Sequence, residues 1–185
     1  MLKDHRWELA LMGGVLLLTL LFYTGCGKRA SPTAPDVPKS GFRILRLGGG
    51  SSGGSVYKGE PLHAEKLIKA SKGGCVELDG KDVEHEVCVP AGALSYNTVI
   101  GISCPDAELT MVDLTPCGIS FNLPVKVKLS WKDVEDTPDD LGIYWWDEES
   151  GEWVEIPAEI EVDGDDVDAD FELSHFSRYA LAESY

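Results

Sequence analysis

Cys26 is the residue whose surroundings specify its chemistry most narrowly. A charged start is followed by an apolar run from Leu9 to Tyr23, then by the small residues Thr24 and Gly25, and then by Cys26. That order of a positive segment, an apolar segment and a small-residue cleavage site is typical of a secretory signal peptide. We therefore predict that residues 1–25 are removed and that the Cys26 thiol lies at the new N-terminus.

A cysteine directly after such a site resembles the lipobox of bacterial lipoproteins. The usual leucine three positions before the cysteine is here Tyr23. The resemblance implies a diacylglyceryl group on the Cys26 thiol and an N-acyl chain such as palmitate, because stable anchoring needs more than one acyl chain. No other cofactor is expected. Two alternatives stay open. One is an uncleaved anchor helix, although about 15 apolar residues fall short of the roughly 20 that span a bilayer; the other is ordinary secretion.

Four further cysteines, Cys75, Cys88, Cys104 and Cys117, predict disulfide chemistry. An even number of cysteines in an exported chain is typical of a disulfide framework, and four allow three connectivities. We favour Cys75–Cys88 and Cys104–Cys117, because each pair closes a short local loop. A zinc site is the alternative, although none of the four stands in a C-x2-C pair.

Three acidic side chains near the C-terminus, Asp166, Asp168 and Asp170, are candidate ligands for Ca2+. Carboxylate oxygens are the ligands that this cation prefers. The run does not fit the EF-hand loop, because the sixth position counted from Asp166 is Phe171 where that loop has Gly. The alternative is a strand whose acidic face is solvated.

Four aromatic residues, Tyr144, Trp145, Trp146 and Trp153, form a candidate binding cluster for a glycan or an envelope protein. Contiguous exposed aromatic side chains mark interaction sites. Neighbouring residues of a strand point to opposite faces, so at least one Trp is expected in the core. Core packing is the alternative for the cluster as a whole.

The net charge of −16 excludes a basic nucleic-acid footprint. Residues 28–72 are mainly basic, and residues 133–172 are densely acidic. This asymmetry suggests a basic side near the membrane and an acidic side for cations or a basic partner, with a solvated surface as the alternative. The isolated His63 and His85 are expected at the surface rather than in a metal site.

Short segments rich in β-formers, separated by turns, must position these side chains. We expect strands at Phe42–Leu47, Glu65–Ala70, Cys75–Leu78, His85–Val89, Thr98–Ser103, Leu109–Leu114, Val125–Trp131, Leu141–Asp147, Glu152–Ile156, Ile160–Val162, Val167–Glu172 and Ser177–Ala182. Turn signals at Asp79–Asp82, Glu149–Gly151 and Asp163–Asp166 predict hairpins. No long segment has helical periodicity. These features predict an all-β sandwich or barrel over residues 42–185, after a Pro/Ser-rich tether over residues 26–41.

Several motifs in this β-region, taken in order, resemble the ZU-five domain, the β-sandwich of ankyrins and netrin receptors. They are Gly73-Gly74, Val89–Ser95, Thr98–Ile102, Pro116–Val125, Leu141–Asp147, Gly151–Trp153 and His175–Ala180. The resemblance covers roughly Glu65 to Leu181. It implies a single antiparallel β-sandwich that binds or scaffolds without general enzymatic activity. The cysteines lie outside the family pattern.

The resemblance also implies one reactive candidate, because the tripeptide His-Phe-Ser cleaves itself in some eukaryotic relatives. Here the Ser177 hydroxyl would attack the Phe176 carbonyl, and the resulting ester would be hydrolysed. His175 would act as base or hold the peptide strained. The alternative is that His175 and Phe176 pack the last strand.

The predicted function is therefore a lipid-anchored, non-catalytic interaction or structural module of the bacterial cell envelope. The domain would lie in the periplasm or at the cell surface. Lys28, rather than an Asp beside Cys26, favours the outer membrane where the organism has two membranes. The alternatives are a domain that cleaves itself between Phe176 and Ser177, and an adhesion module that depends on a glycan or on calcium.

Overall fold

The structure is a computed structural model that describes residues 41–48 and 62–185. Cys26, the signal segment and almost all of the tether lie outside these ranges. The described strands are β1 Phe42–Ile44, β2 Leu62–Ile68, β3 Gly74–Asp79, β4 Val83–Val89, β5 Thr98–Cys104, β6 Met111–Thr115, β7 Ser120–Trp131, β8 Leu141–Asp147, β9 Glu152–Ile156, β10 Glu159–Asp163, β11 Asp166–His175 and β12 Arg178–Ser184. No helix long and apolar enough to cross a membrane occurs in the described ranges.

Two antiparallel sheets pack face to face, which confirms the predicted β-sandwich. One sheet has the order β2-β5-β6-β12-β8-β9, with β1 also paired to β12, and the other has the order β10-β11-β7-β4-β3. Most neighbouring strands within each sheet are not consecutive in the chain. The connections therefore cross between the sheets, as in Greek-key sandwiches.

Alternating side chains on the central strands build the core between the sheets. On β11, Val167, Ala169, Phe171 and Leu173 are buried while the residues between them point outward. This period of two is what a strand with one face on the core requires. The alternation of inward and outward positions along each strand therefore decides which polar residues share the outer face.

Three predicted hairpins are confirmed as β3–β4, β8–β9 and β10–β11. Gly151 and Gly164 lie in the last two turns at φ +71° and +66°. A Cβ atom at either glycine would meet no neighbour within 4 Å. The requirement for glycine is therefore conformational rather than spatial, since other residues rarely adopt positive φ.

Strand β7 begins earlier than predicted. It runs from Ser120, and Ser120 pairs with His175 before the register of the β7–β11 ladder shifts. Pro124 lies in this irregular part, just before regular pairing resumes at Val125. Proline is tolerated there because no regular ladder hydrogen bond needs its missing N–H.

Candidate functional site

The predicted disulfide Cys75–Cys88 is present in the β3–β4 hairpin. The two cysteines lie directly opposite each other in the ladder, with Cα atoms 4.1 Å apart. Both are partly exposed, and both point to the outer face of the five-stranded sheet. The bond therefore closes the hairpin at the surface and does not contribute to the core.

The second predicted pair, Cys104–Cys117, is wrong, because Cys104 is a free and buried cysteine. The register of β5 and β6 explains the difference. Ser103 lies opposite Asp113, so the same ladder extended would place Cys117 opposite Val99. That position is roughly 17 Å along the strand from Cys104 at about 3.3 Å per residue. A disulfide requires Cα atoms within about 7 Å.

We expect the thiol of Cys104 to be inert in the folded protein. Burial and the nearby Asp113 carboxylate raise the pKa of Cys104 to about 12, and only the thiolate is nucleophilic. Iodoacetamide at mildly alkaline pH should leave Cys104 unmodified in the native protein and should modify it in denaturant without reductant. Peptide mass spectrometry checks this, with Cys104→Ala as the control that lacks the modified peptide. Equal rates of modification in the two states would contradict it.

The tripeptide His175-Phe176-Ser177 forms the crossing from one sheet to the other. His175 ends β11, and Ser177 immediately precedes β12. Phe176 is buried, with its ring 4.7 Å from that of Phe121. Its carbonyl accepts a hydrogen bond from the Gly118 amide at 3.0 Å. The peptide bond of interest is therefore held in the interior by neighbouring chain segments.

The side chains of His175 and Ser177 have separate partners. The Ser177 hydroxyl donates to the Trp146 carbonyl at 2.7 Å. The His175 ring packs edge-on against Trp145 at 4.5 Å, and its carbonyl accepts the Tyr179 hydroxyl at 2.9 Å. The described hydrogen bonds do not join these two side chains to each other. This arrangement is the one expected if the tripeptide has a packing role.

We expect the purified protein to remain a single full-length species on storage. Attack on Phe176 would require the Ser177 hydroxyl to leave the Trp146 carbonyl and to find a base, and His175 is turned toward Trp145. Intact-mass spectrometry at intervals checks this, with Ser177→Ala as the matched control. The gradual appearance of a species that lacks residues 177–185 in the natural sequence, but not in the control, would contradict it.

The aromatic cluster is divided between the two faces of the seven-stranded sheet. Trp145 packs against the main core, which confirms the expectation for at least one Trp. On the outer face Tyr144 is buried beneath Phe42, whose ring is 4.9 Å away. Trp146 and Trp153 lie directly opposite each other with rings 5.5 Å apart, and both are partly exposed. Of the four predicted binding residues, these two are the ones that a ligand on the outer face could reach.

The three candidate calcium ligands do not converge. Asp166, Asp168 and Asp170 share the outward face of β11, where alternate residues are about 6.6 Å apart. Asp168 accepts a hydrogen bond from Ser130, and its other oxygen lies 3.8 Å from the Lys128 ammonium. The three carboxylates are not among the groups of potential ligand atoms that lie within 4.8 Å of one another in the described residues.

Strand register builds a larger acidic surface that the linear sequence does not reveal. On the five-stranded sheet the outward positions of β3, β4, β10 and β11 are mostly carboxylates, whereas β7 between them presents lysines and a serine. We call this surface the acidic face. Its carboxylates are Glu77, Asp79, Glu84, Glu86, Glu159, Glu161, Asp163, Asp166, Asp168, Asp170 and Glu172. A depression of about 380 Å³ lies over four of its strands.

The expectation that His85 lies at the surface is wrong, since it is 1% exposed beneath the acidic face. Its side chain points to the buried face of β4, as do those of Val83 and Val87. Its Nδ1 atom accepts the Ser130 amide at 3.2 Å, and its ring lies 5.3 Å from that of Trp131. Burial lowers the pKa of His85 to about 4. The ring is therefore neutral at physiological pH.

Comparison of the chain with protein-family models gives no match, and comparison with curated proteins gives none either. The ZU-five resemblance therefore remains a prediction that rests on its motifs. The lipoprotein character likewise rests on the residues around Cys26. What the structure adds is the all-β sandwich and the distribution of charge and aromatic side chains over its two outer faces.

Proposed function

We propose that this chain is a lipid-anchored, non-catalytic interaction module of the bacterial cell envelope, and that its acidic face docks a cationic partner. The observation that carries the proposal is that carboxylates face each other directly across two pairs of strands. The pairs are Glu77 with Glu86 and Asp79 with Glu84 on β3–β4, and Glu159 with Asp170, Glu161 with Asp168 and Asp163 with Asp166 on β10–β11.

Like charges placed directly opposite each other on a sheet destabilise it. The acidic face repeats this unfavourable arrangement on both sides of β7. On β7 itself, Lys128 lies opposite Glu86 and Asp170, and Lys126 lies opposite Glu172. Among the described residues, the β7 lysine that comes within ion-pair distance of a carboxylate is Lys128, 3.8 Å from Asp168, so the carboxylates of this face outnumber the lysines that face them. A partner with positive charge would relieve the repulsion and gain the attraction. This charge complementarity favours a docking role over a merely solvated surface.

The spread of the carboxylates favours an extended cationic partner over a single metal ion. They occupy a surface five strands wide, which at about 4.8 Å between strands is roughly 19 Å across. A segment rich in lysine or arginine can match such spacing, whereas one ion needs its ligands within a few ångströms. The partner we propose is therefore a basic polypeptide surface of the envelope.

We expect neutralisation of the acidic face to weaken binding while it stabilises the fold. The triple variant Glu77→Gln/Glu84→Gln/Glu86→Gln should bind a fluorescent oligolysine peptide about tenfold more weakly, or about 1.4 kcal/mol. Its free energy of unfolding should rise, because cross-strand repulsion is removed. Fluorescence anisotropy and urea unfolding measure the two effects.

A matched control for this experiment is Glu148→Gln/Glu149→Gln/Glu152→Gln, which removes three carboxylates from the β8–β9 hairpin. These exposed side chains lie outside the acidic face. The control should retain nearly natural affinity, and the affinity of the natural sequence should fall with added salt. Equal loss of affinity in the two triple variants would refute docking at the acidic face.

The anchor is tested separately. We expect Cys26→Ser to abolish both incorporation of labelled palmitate and cleavage of the precursor, because the thiol is the acceptor of the diacylglyceryl group in the lipobox interpretation. Globomycin should likewise leave the precursor unprocessed in the natural sequence. Continued cleavage under globomycin would favour ordinary secretion instead.

A further inference from the structure

Two sulfurs and a carboxylate come together on the outer face of the β3–β4 hairpin. The Sγ atoms of Cys75 and Cys88 and a carboxylate oxygen of Glu86 all lie within 4.8 Å of one another, and all three residues are partly exposed. Glu86 precedes Cys88 by two residues, so both point to the same face. We propose that reduction of the Cys75–Cys88 disulfide converts this group into a zinc site.

The three ligand atoms lie close enough together to reach the spacing that Zn2+ requires once the S–S bond has opened. Zinc takes tetrahedral thiolate and carboxylate ligands at about 2.0–2.3 Å, which places neighbouring ligand atoms roughly 3.5–3.8 Å apart. The two cysteines lie directly opposite each other on adjacent strands. Small side-chain rotations therefore bring all three atoms to one ion without a change in the backbone.

The neighbouring residues complete the site. Glu77 lies directly opposite Glu86 and can take the fourth position, which a water fills otherwise. Lys126 lies directly opposite Cys88 on β7, and a nearby cation favours the thiolate form of a cysteine. Two thiolates favour zinc over calcium or magnesium, which prefer oxygen ligands alone.

The chemistry requires a dithiol reductant, such as a thioredoxin-like protein. The disulfide takes two electrons and two protons from the dithiol, which becomes a disulfide, and Cys75 and Cys88 become thiols. Zn2+ then displaces the two thiol protons and binds two thiolates and the Glu86 carboxylate. In the reverse step an oxidised thioredoxin-like protein takes two electrons from the two thiolates and two protons from solvent to become a dithiol, the Cys75–Cys88 disulfide forms again and Zn2+ is released. The redox state therefore decides whether zinc is held.

The surrounding fold retains the site when the disulfide opens. Strand β4 keeps its register with β7 from Val83 to Cys88. The inward side chains Val76 and Leu78 of β3 and Val87 of β4 are buried in the core. The ligands therefore remain on two strands held by hydrogen bonds and packing.

The test uses the full chain in detergent, either oxidised or reduced with a phosphine and desalted without oxygen. Zn2+ is titrated in competition with a chromophoric chelator. We expect the reduced protein to bind one equivalent that the oxidised protein does not bind. Co2+ in place of zinc should give a thiolate-to-metal charge-transfer band. Near-ultraviolet circular dichroism follows the fold throughout.

Variants identify the ligands. Cys75→Ser should abolish the reduction-dependent equivalent, and Glu86→Gln should weaken it at least about tenfold. Two control variants should leave this zinc binding unchanged. They are Glu161→Gln, which removes a carboxylate of the acidic face on β10, and Cys104→Ala. Equal zinc binding by oxidised and reduced protein would overturn the proposal, as would its persistence in Cys75→Ser. The proposal would also be overturned if reduction abolished the native circular dichroism spectrum and added zinc did not restore that spectrum.

Discussion

Replacement of His85 by Asn is expected to remove a loss of stability that the natural protein suffers between neutral pH and about pH 4. The pKa of His85 is lowered from 6.5 to about 4 in the fold by burial, so the unfolded chain takes up the proton more readily. The contribution of His85 to the free energy of unfolding is therefore at its maximum above pH 6.5 and declines as the pH falls toward 4. The expected decline is about 3 kcal/mol from this one group.

The asparagine variant keeps an acceptor for the Ser130 amide but cannot titrate. Urea unfolding at a series of pH values, followed by tryptophan fluorescence, gives the free energy for each protein. Carboxylates titrate in both proteins, so the difference between their profiles isolates His85. His63→Asn, at an exposed position, should keep the natural slope. A His85→Asn protein with the natural acid slope would show that the buried ring is not responsible.

Asp113→Asn is expected to destabilise the protein by about 3 kcal/mol, because it removes one partner of a mostly buried ion pair. The Arg178 guanidinium binds the Asp113 carboxylate through two hydrogen bonds, at 2.6 and 2.9 Å. The side chains are only 22% and 13% exposed. The two residues lie directly opposite each other on β6 and β12, so the pair fixes the C-terminal strand in the sheet. Urea unfolding measures the loss.

Two comparisons distinguish this pair from ordinary surface charges. Arg46 and Glu108 form an ion pair with side chains 56% and 54% exposed, so Glu108→Gln should cost less than about 1 kcal/mol. The double variant Asp113→Leu/Arg178→Met should recover much of the loss, because it leaves no unpaired buried charge. Equal losses for Asp113→Asn and Glu108→Gln would contradict the expected effect of burial.

The two outer faces of the sandwich suggest a division of roles. One sheet exposes the acidic face, for which we propose a cationic partner, and the same hairpin carries the cysteine pair for which we propose zinc. The other sheet covers its outer surface with packed aromatic rings and the Arg178–Asp113 pair. We thus propose the binding and redox functions for the five-stranded sheet. We expect the packed rings and the ion pair on the seven-stranded sheet to contribute to the stability of the fold.

Local sequence was sufficient to predict the fold class and nearly every strand. Strands Leu141–Asp147 and Glu152–Ile156 have the predicted bounds, because β-branched and aromatic residues and a turn glycine specify them without long-range help. Fold class follows from such local signals once helical periodicity is absent. The identity of Cys26 as an acylated residue is also a matter of local sequence, and it remains a prediction to be tested in cells.

Tertiary structure decided which residues meet. Cys75 and Cys88 are 13 residues apart, and Cys104 and Cys117 have the same spacing in the sequence. Only the first pair forms a disulfide, because the β3–β4 register places its cysteines opposite each other while the β5–β6 register offsets the second pair. The acidic face likewise depends on register, since its carboxylates come from two hairpins, β3–β4 and β10–β11, that are distant from each other in the chain. Spacing in the sequence counts residues along the chain, whereas a site on a sheet is defined by which residues the strand register places opposite each other.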